Sequence, residues 1–384
     1  MLVVVKTGAT EIHQKLPIHF STTLSCIPHF VIYSDLEENI HGHEVHDVLA
    51  SISADTKASN KDLAFYKRLQ DSHRAGRHPS TLQGKDIGQL AWNLDKWKFI
   101  PMMDHALRYA SSPSTKWFFF IEADTAVIWD TIFAFVSRFD PDQPWYMGSP
   151  AWIGDVEFAH GGTGWLMSRP AVEAVARQWR DDQAGVEELV ARPENWAGEC
   201  SLAQLLKKAD IGLTHAWPIL QGETPSSLDY TENHWCFPVG TYHHVNETWV
   251  TDIWEFGEEW AGGHEDVKKE PMRHRDAFDH FVYPHLAPER RGWDNLCKGG
   301  DAVTLKSVEE CRKMCEARPA CLQWSFKVGK WWSFKGGECR SADVVQLGES
   351  KEGAEEMVSG WMMDRVDQFR ERLKGCEGRD YWVP

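Results

Sequence analysis

The chain has 384 residues and a formal net charge of −16. That length accommodates one large domain and a smaller one, and the acidic balance argues against a nucleic-acid backbone as partner. Twenty tryptophans exceed ordinary usage; some belong to the core, and the surplus also suits a protein that stacks indole on the C–H faces of sugar rings.

The chain opens as a strand, Val3 to Lys6, with no charged leader and no apolar segment ahead of it. No signal peptide or membrane span is read in it, and a native type II anchor removed from in front is expected. A helix from about Thr10 to Thr23 and a second strand, Phe30 to Asp35, follow. This β-α-β opening predicts a parallel, doubly wound sheet. Asp35 falls at a strand's carboxyl end, where a nucleotide's base or ribose is met, although a turn or helix cap accounts for it equally well. His41-Gly42-His43-Glu44-Val45-His46-Asp47 has a metal-like composition but reads as a solvated loop or edge strand. Residues 52–88 are polar and read as a mobile surface excursion. From Trp92 to Ser111 the spacing of Leu94, Trp97, Phe99, Met102 and Leu107 predicts a helix. Lys96 and Lys98 could approach phosphates, but a solvated face is the preferred reading.

The most informative stretch is Trp117-Phe118-Phe119-Phe120-Ile121-Glu122-Ala123-Asp124-Thr125. Its apolar run predicts a strand buried on both faces. Side chains alternate along a strand, so Glu122 and Asp124 share one face. Two carboxylates at a strand's carboxyl end need a compensating charge, and a divalent cation holding a diphosphate supplies it. Next comes Phe158-Ala159-His160-Gly161-Gly162-Thr163-Gly164-Trp165-Leu166-Met167-Ser168-Arg169, where Gly161 and Gly162 let the backbone approach a ligand. A helix begins near Pro170. Glu199, in Trp196-Ala197-Gly198-Glu199-Cys200-Ser201-Leu202-Ala203, opens another helix, where an acid is ordinarily a cap. Pro238 to Val245 reads as a short strand carrying His243 and His244.

In this order the motifs resemble the Fringe-like, core-1-galactosyltransferase-like glycosyltransferases of family 31, particularly their fungal branch. The resemblance covers residues 1–284 and implies a GT-A fold, a UDP-sugar donor, a divalent metal and inversion at the anomeric carbon. Glu122 and Asp124 match the family's D-x-D metal motif, with Glu in first place and Ala in the middle. Asp124 is the safer ligand, and Glu122 reaches the metal directly or through water. Glu199 matches the catalytic base. His244 is the favoured histidine ligand, with His243 and His215 as competitors. Carboxylate, imidazole and phosphate ligands together suit Mn²⁺ better than Mg²⁺. The resemblance implies a donor of the UDP-galactose type, galactofuranose ahead of galactopyranose, and a glycan or glycoprotein acceptor. It also implies the Golgi lumen, in a fungus building cell wall.

Pro284 to Arg291 is polar and Pro-rich, and a linker is expected over 285–292. Five of the nine cysteines lie between 297 and 339, a density that indicates disulfides and an oxidising compartment. A zinc site is the alternative, but no C-x-x-C pair occurs. The sequon Asn246-Glu247-Thr248 agrees with secretory passage. Cys311 and Cys315 share a helical face; with Cys321, Trp324, Phe326, Cys339 and Trp361 they resemble a PAN/apple domain over 293–366, a small disulfide-stapled α+β unit. A charged helix or tail is expected over 367–384. That resemblance implies bridges Cys311–Cys339, Cys315–Cys321 and Cys297–Cys376; Cys200–Cys236 is the pair expected elsewhere. Trp331 and Trp332 could serve carbohydrate or protein binding, or simple packing.

The rivals to a transferase are a non-catalytic carbohydrate-binding protein with a degenerate E-A-D, and a metal-dependent hydrolase on the same side chains.

Overall fold

A computed structural model describes residues 1–110, 112–264, 269–329, 336–350, 356–376 and 380–382. Trp331 and Trp332 lie outside them. Residues 1–222 with 240–268 form one compact unit, and 223–239 with 269–383 form another. No described helix is long and apolar enough to cross a membrane.

The first unit is built on an eight-stranded sheet. Its strands in chain order are β1 (Leu2–Lys6), β2 (Phe30–Ser34), β3 (Glu38–Ile40), β4 (His43–Asp47), β5 (Trp117–Glu122), β7 (Tyr146–Gly148), β10 (Trp165–Ser168) and β11 (Leu213–His215). Short strands between and after them are β6 (Ala126–Val127), β8 (Pro150–Ile153), β9 (Val156–Ala159) and β12 (Thr241–Tyr242). The spatial order is β11-β7-β10-β5-β1-β2-β4-β3. The pairs β5–β1, β1–β2, β2–β4 and β7–β11 are parallel. Only β10 and β3 run against the rest, so the expected mostly parallel α/β sheet is present with two reversals.

β1 and β5 lie at its centre. Val3, Val4 and Val5 face Phe119, Phe120 and Ile121 in register, and all six are buried. A strand covered on both faces needs apolar residues at every position, hence the unbroken run. Trp165 on β10 stacks on Phe120 with ring centroids 4.0 Å apart, joining the reversed strand to this core. The helices Phe99–Tyr109 and Arg169–Asp181 contribute Met102, Met103, Val172 and Val175 to the same cluster.

Several local expectations shift. The helix expected from Thr10 to Thr23 is two helices, Ile12–Lys15 and Pro17–Ser21. Proline lacks an N–H and is tolerated only in a first turn, so Pro17 restarts the helix. The helix expected over 92–111 is likewise two, Ile87–Asp95 and Phe99–Tyr109. Residues 52–88 are no loose excursion: they include the helix Leu63–Arg74, whose Leu63, Phe65, Tyr66 and Leu69 join the core. The polar side chains had masked its apolar face. His43 to Asp47 is β4, inside the sheet with β3 at its edge.

The second unit holds a five-stranded antiparallel sheet of β13 (Arg290–Arg291), β14 (Val303–Leu305), β15 (Gln323–Val328), β16 (Gly337–Ala342) and β17 (Met357–Trp361), in the order β13-β17-β15-β16-β14. Arg290 and Arg291, expected in a linker, pair with Ser359 and Val358. The helix Val308–Glu316 is tied to the sheet by Cys311–Cys339, and Cys315–Cys321 closes the turn after it. Two expected bridges are corrected. Cys376 bonds Cys236, so neither Cys297–Cys376 nor Cys200–Cys236 forms. Cys297 and Cys200 are buried thiols, and burial pushes Cys297 up to about 11. The boundary expected at 284 also differs from the observed division, since residues 223–239 and the helix His274–Phe281 belong to the second unit.

Candidate active site

The carboxyl ends of β1 and β5 open into a cavity of about 540 Å³, a size suited to a small-molecule ligand. β5 delivers Glu122 to its rim, and the chain then turns through Ala123 and Asp124. The turn is held on several sides. Thr125 Oγ1 accepts the Glu122 N–H (3.2 Å) and donates to the Gly162 carbonyl (2.9 Å). His19 Nε2 meets the Ala123 carbonyl at 2.8 Å.

β12 pairs antiparallel with β6, setting Tyr242 against Ala126, and the Val245 N–H donates to the Asp124 carbonyl (3.2 Å). That two-residue ladder brings the histidines to the carboxylates. His243 Nε2 is 3.3 Å from Asp124 Oδ1 and 3.9 Å from Glu122 Oε2. Asp124, His243 and His244 each offer a ligand atom within 4.8 Å of the others'. His243 is buried and its Nδ1 has no hydrogen-bond partner. His244 is exposed, with a left-handed backbone at φ 58°, a conformation uncommon outside glycine. His215 lies elsewhere, on β11, 2.9 Å from Glu157.

Gly161 and Gly162 pass closely beneath these side chains. A Cβ on Gly162 would collide with the His243 ring, and one on Gly161 with the carboxylates of Glu199 and Glu122. Their value here is close approach, since neither has a positive φ.

Glu199 stands at the start of the helix Gly198–Lys208 and accepts the Gly161 N–H at 3.2 Å. Desolvation pushes its carboxyl up to about 7; Lys6 opposes the rise and Glu122 adds to it. Asp124 goes the other way. Burial alone would raise it, but the His243 hydrogen bond and the charges of His243 and Lys15 hold it well below the usual carboxylate range. Two neighbouring acids therefore differ in protonation, one fully ionised and one poised near neutrality, the separation expected of paired functional carboxylates.

The lysines complete the electrostatics. Lys15 Nζ donates to Asp124 Oδ2 (2.9 Å). Lys6, at the end of β1, pairs with Asp95 and lies 3.0 Å from Glu122 Oε1. Lys98 is 2 % exposed, 3.0 Å from Asp35 and 3.3 Å from Asp95, and donates to the Thr7 carbonyl (2.8 Å). Lys96 is 2.9 Å from Asp62. The solvated face expected for Lys96 and Lys98 is thus corrected: Lys98 is a buried ion-pair partner and Lys96 a half-buried one. Asp35 also accepts the Ala9 N–H (2.8 Å), so its oxygens serve the turn after β1. Lys6, Lys15 and Asp95 were not anticipated. Lys6 carried a signal, a charge ending an apolar strand; the others meet the site only through the fold.

Three exposed tryptophans, Trp92, Trp152 and Trp196, also line the cavity. The rings of Trp92 and Trp196 stack with centroids 5.5 Å apart.

A family model described as Fringe-like matches residues 1–216. The match includes Glu122, Asp124, Gly161, Gly162 and Glu199 and stops before His243 and His244. No curated protein matches the chain.

Proposed function

The chain belongs to the Fringe-like family, and from that premise we propose a metal-dependent, inverting glycosyltransferase that moves a sugar from a UDP-sugar to a glycan hydroxyl. Glycosyltransferase activity, with a nucleotide sugar as donor and a glycan as acceptor, comes with the family; donor, metal and stereochemistry are our reading. The observation that carries it is the meeting of Asp124, His243 and His244 with Glu199 around one cavity.

The residues fit a divalent cation. His243 presents a buried ring nitrogen without a partner, Asp124 is an ionised carboxylate, and Gly162 leaves room for the imidazole. Asp124, His243 and His244 would hold the ion, with Glu122 reached directly or through water. This mixed oxygen and nitrogen set suits Mn²⁺. When bound, the cation offsets the diphosphate's charge and stabilises the leaving group.

The protein's own groups do the rest. Glu199, poised near neutrality, takes the proton of the acceptor hydroxyl as that oxygen attacks the anomeric carbon from the face opposite the diphosphate. A single displacement of this kind inverts configuration. Lys6, fixed between Asp95 and Glu122, holds Asp95 ionised beside the base. Trp92, Trp152 and Trp196 offer flat apolar faces for acceptor sugar rings. Asp35 keeps the Thr7–Ala9 turn in place at the nucleotide end.

We place the enzyme in the secretory pathway, in the Golgi lumen. The donor is UDP-galactofuranose ahead of UDP-galactopyranose, on the resemblance of the E-A-D-T and Y-H-H-V motifs to fungal family members. For the second unit we keep a PAN/apple-like reading, supported by the bridge from its helix to its sheet.

Incubating the protein with each UDP-sugar, Mn²⁺ and a mannan or galactofuranose-terminated acceptor tests the reading. Transfer from a galactose-type donor, lost on chelation, is expected. Mn²⁺-dependent UDP binding without turnover on any acceptor would leave a carbohydrate-binding protein instead. Free sugar released without acceptor would indicate a hydrolase.

A further inference from the structure

Apart from the candidate active site, three side chains in the first unit converge on one point. His13 lies in the helix Ile12–Lys15, Glu38 on the edge strand β3, and His78 just before Pro79. His13 Nε2 and His78 Nε2 are 2.7 Å apart, and each is 3.1 Å from Glu38 Oε2. The carboxylate is buried, with its side chain 8 % exposed, and its other oxygen, Oε1, has no partner. Among the described residues no lysine or arginine pairs with Glu38.

Protons alone satisfy this triangle poorly. Its three edges each need a hydrogen, while two neutral imidazoles bring at most one apiece and an ionised carboxylate brings none. With one hydrogen on each Nε2, both aimed at Oε2, the two N–H groups crowd each other across 2.7 Å. With either Nε2 bare, its lone pair faces the carboxylate. A cation satisfies all three lone pairs at once. Above a triangle of this size, an ion at about 2 Å, the usual zinc–nitrogen and zinc–oxygen distance, touches all three atoms and keeps a face open. His78 Nδ1 accepts the Ser80 backbone N–H (3.2 Å) and lies 2.9 Å from Ser80 Oγ, contacts that fix the orientation of the ring.

We propose that His13, Glu38 and His78 form a second metal site, a two-histidine, one-carboxylate centre for Zn²⁺ with water completing its shell. It shares no residue with the Asp124 group. Its place in the fold gives it a structural consequence. The ion pins the segment 75–82 and the edge strand β3 to the short helix after β1. That helix also carries Lys15, whose ammonium holds Asp124. Zinc here therefore stiffens one wall of the donor cavity without touching the reacting groups.

The test begins from a protein carrying Asp124→Asn, His243→Ala, His244→Ala and Cys26→Ser, which removes the Asp124 cluster of ligands and the exposed thiol. Titrated with Zn²⁺ against a chromophoric chelator of micromolar affinity, this protein should take up one equivalent and melt at a higher temperature. Adding His13→Ala should abolish both effects, and His78→Gln should do so independently. His13 is 46 % exposed, so its replacement leaves the fold intact. Failure of the background protein to bind zinc would overturn the site. So would an equivalent that persists in both the His13→Ala and the His78→Gln proteins.

Discussion

Glu199 and Asp124 sit around one cavity yet are tuned in opposite directions, and pH separates their roles. Glu199 acts as a base only when ionised, so kcat/KM should rise with pH through about 7 and level off above it. A flat profile from pH 5.5 to 8.5 would remove it as the base. Because its folded pKa lies above that of the unfolded chain, the unfolded state releases its proton first, and its contribution to stability declines as pH rises toward 7. Glu199→Gln removes that decline and should lower turnover by about 10²–10⁴-fold while UDP and Mn²⁺ still bind; near-wild-type turnover would reassign the base. Asp124→Asn should do the reverse, abolishing Mn²⁺-dependent UDP binding in a calorimetric titration. Retained affinity would move the metal elsewhere. These acids were legible because each marks the end of a strong local pattern, an apolar strand or a helix start. Asp95 and Lys15 were not, since their partners lie 89 and 109 residues away and nothing in their own neighbourhoods hints at it. Lys96 and Lys98 were misjudged for the same reason: a lysine reads as solvated until its buried carboxylate is known.

Among the elements, the smallest does the most for the site. β6 and β12 share two residue pairs, yet they carry His243 to Asp124. Gly162 sits beneath the imidazole with no room for a methyl group. Gly162→Ala should therefore displace the His243 ring and weaken Mn²⁺-dependent UDP binding by at least tenfold, about 1.4 kcal/mol, with little change in unfolding temperature. An unchanged affinity would show that His243 is not needed for the metal. The long apolar elements, β1, β5 and the helix after Ser168, were readable from their own residues. Where local reading failed, a proline or a polar coat was responsible: Pro17 splits one helix, and charged side chains hid the apolar stripe of Leu63–Arg74. In the proposed reading, the exposed tryptophans that line the cavity meet the acceptor. Trp152→Ala should raise the acceptor KM several-fold with the donor KM unchanged, because only one substrate meets that ring; a donor effect of equal size would place Trp152 at the sugar nucleotide.

At the scale of the whole chain, the division into units follows neither the Pro-rich segment nor the cysteine density alone. Residues 223–239 leave the first unit's sequence and pack with 269–383, a detour that carries Cys236 to Cys376. A bridge across 140 positions has no local signature, whereas Cys311–Cys339 and Cys315–Cys321 join residues of one small motif and were readable. The same separation sets their energetics. Closing a loop of that length restricts the unfolded chain by about 5 kcal/mol in the chain-entropy account, against about 2 kcal/mol for the six-residue separation of Cys315 and Cys321. Replacing both Cys236 and Cys376 by serine should thus lower the second unit's midpoint in urea well beyond the effect of replacing Cys315 and Cys321. Peptide mapping without reduction should recover the 236–376 pair, with thiols at Cys200 and Cys297 reactive only after unfolding, as their burial requires. A Cys297–Cys376 peptide in that map, or equal midpoints for the two double variants, would mean that a shorter connection ties the chain's end to its sheet and that the detour of 223–239 is held by packing alone.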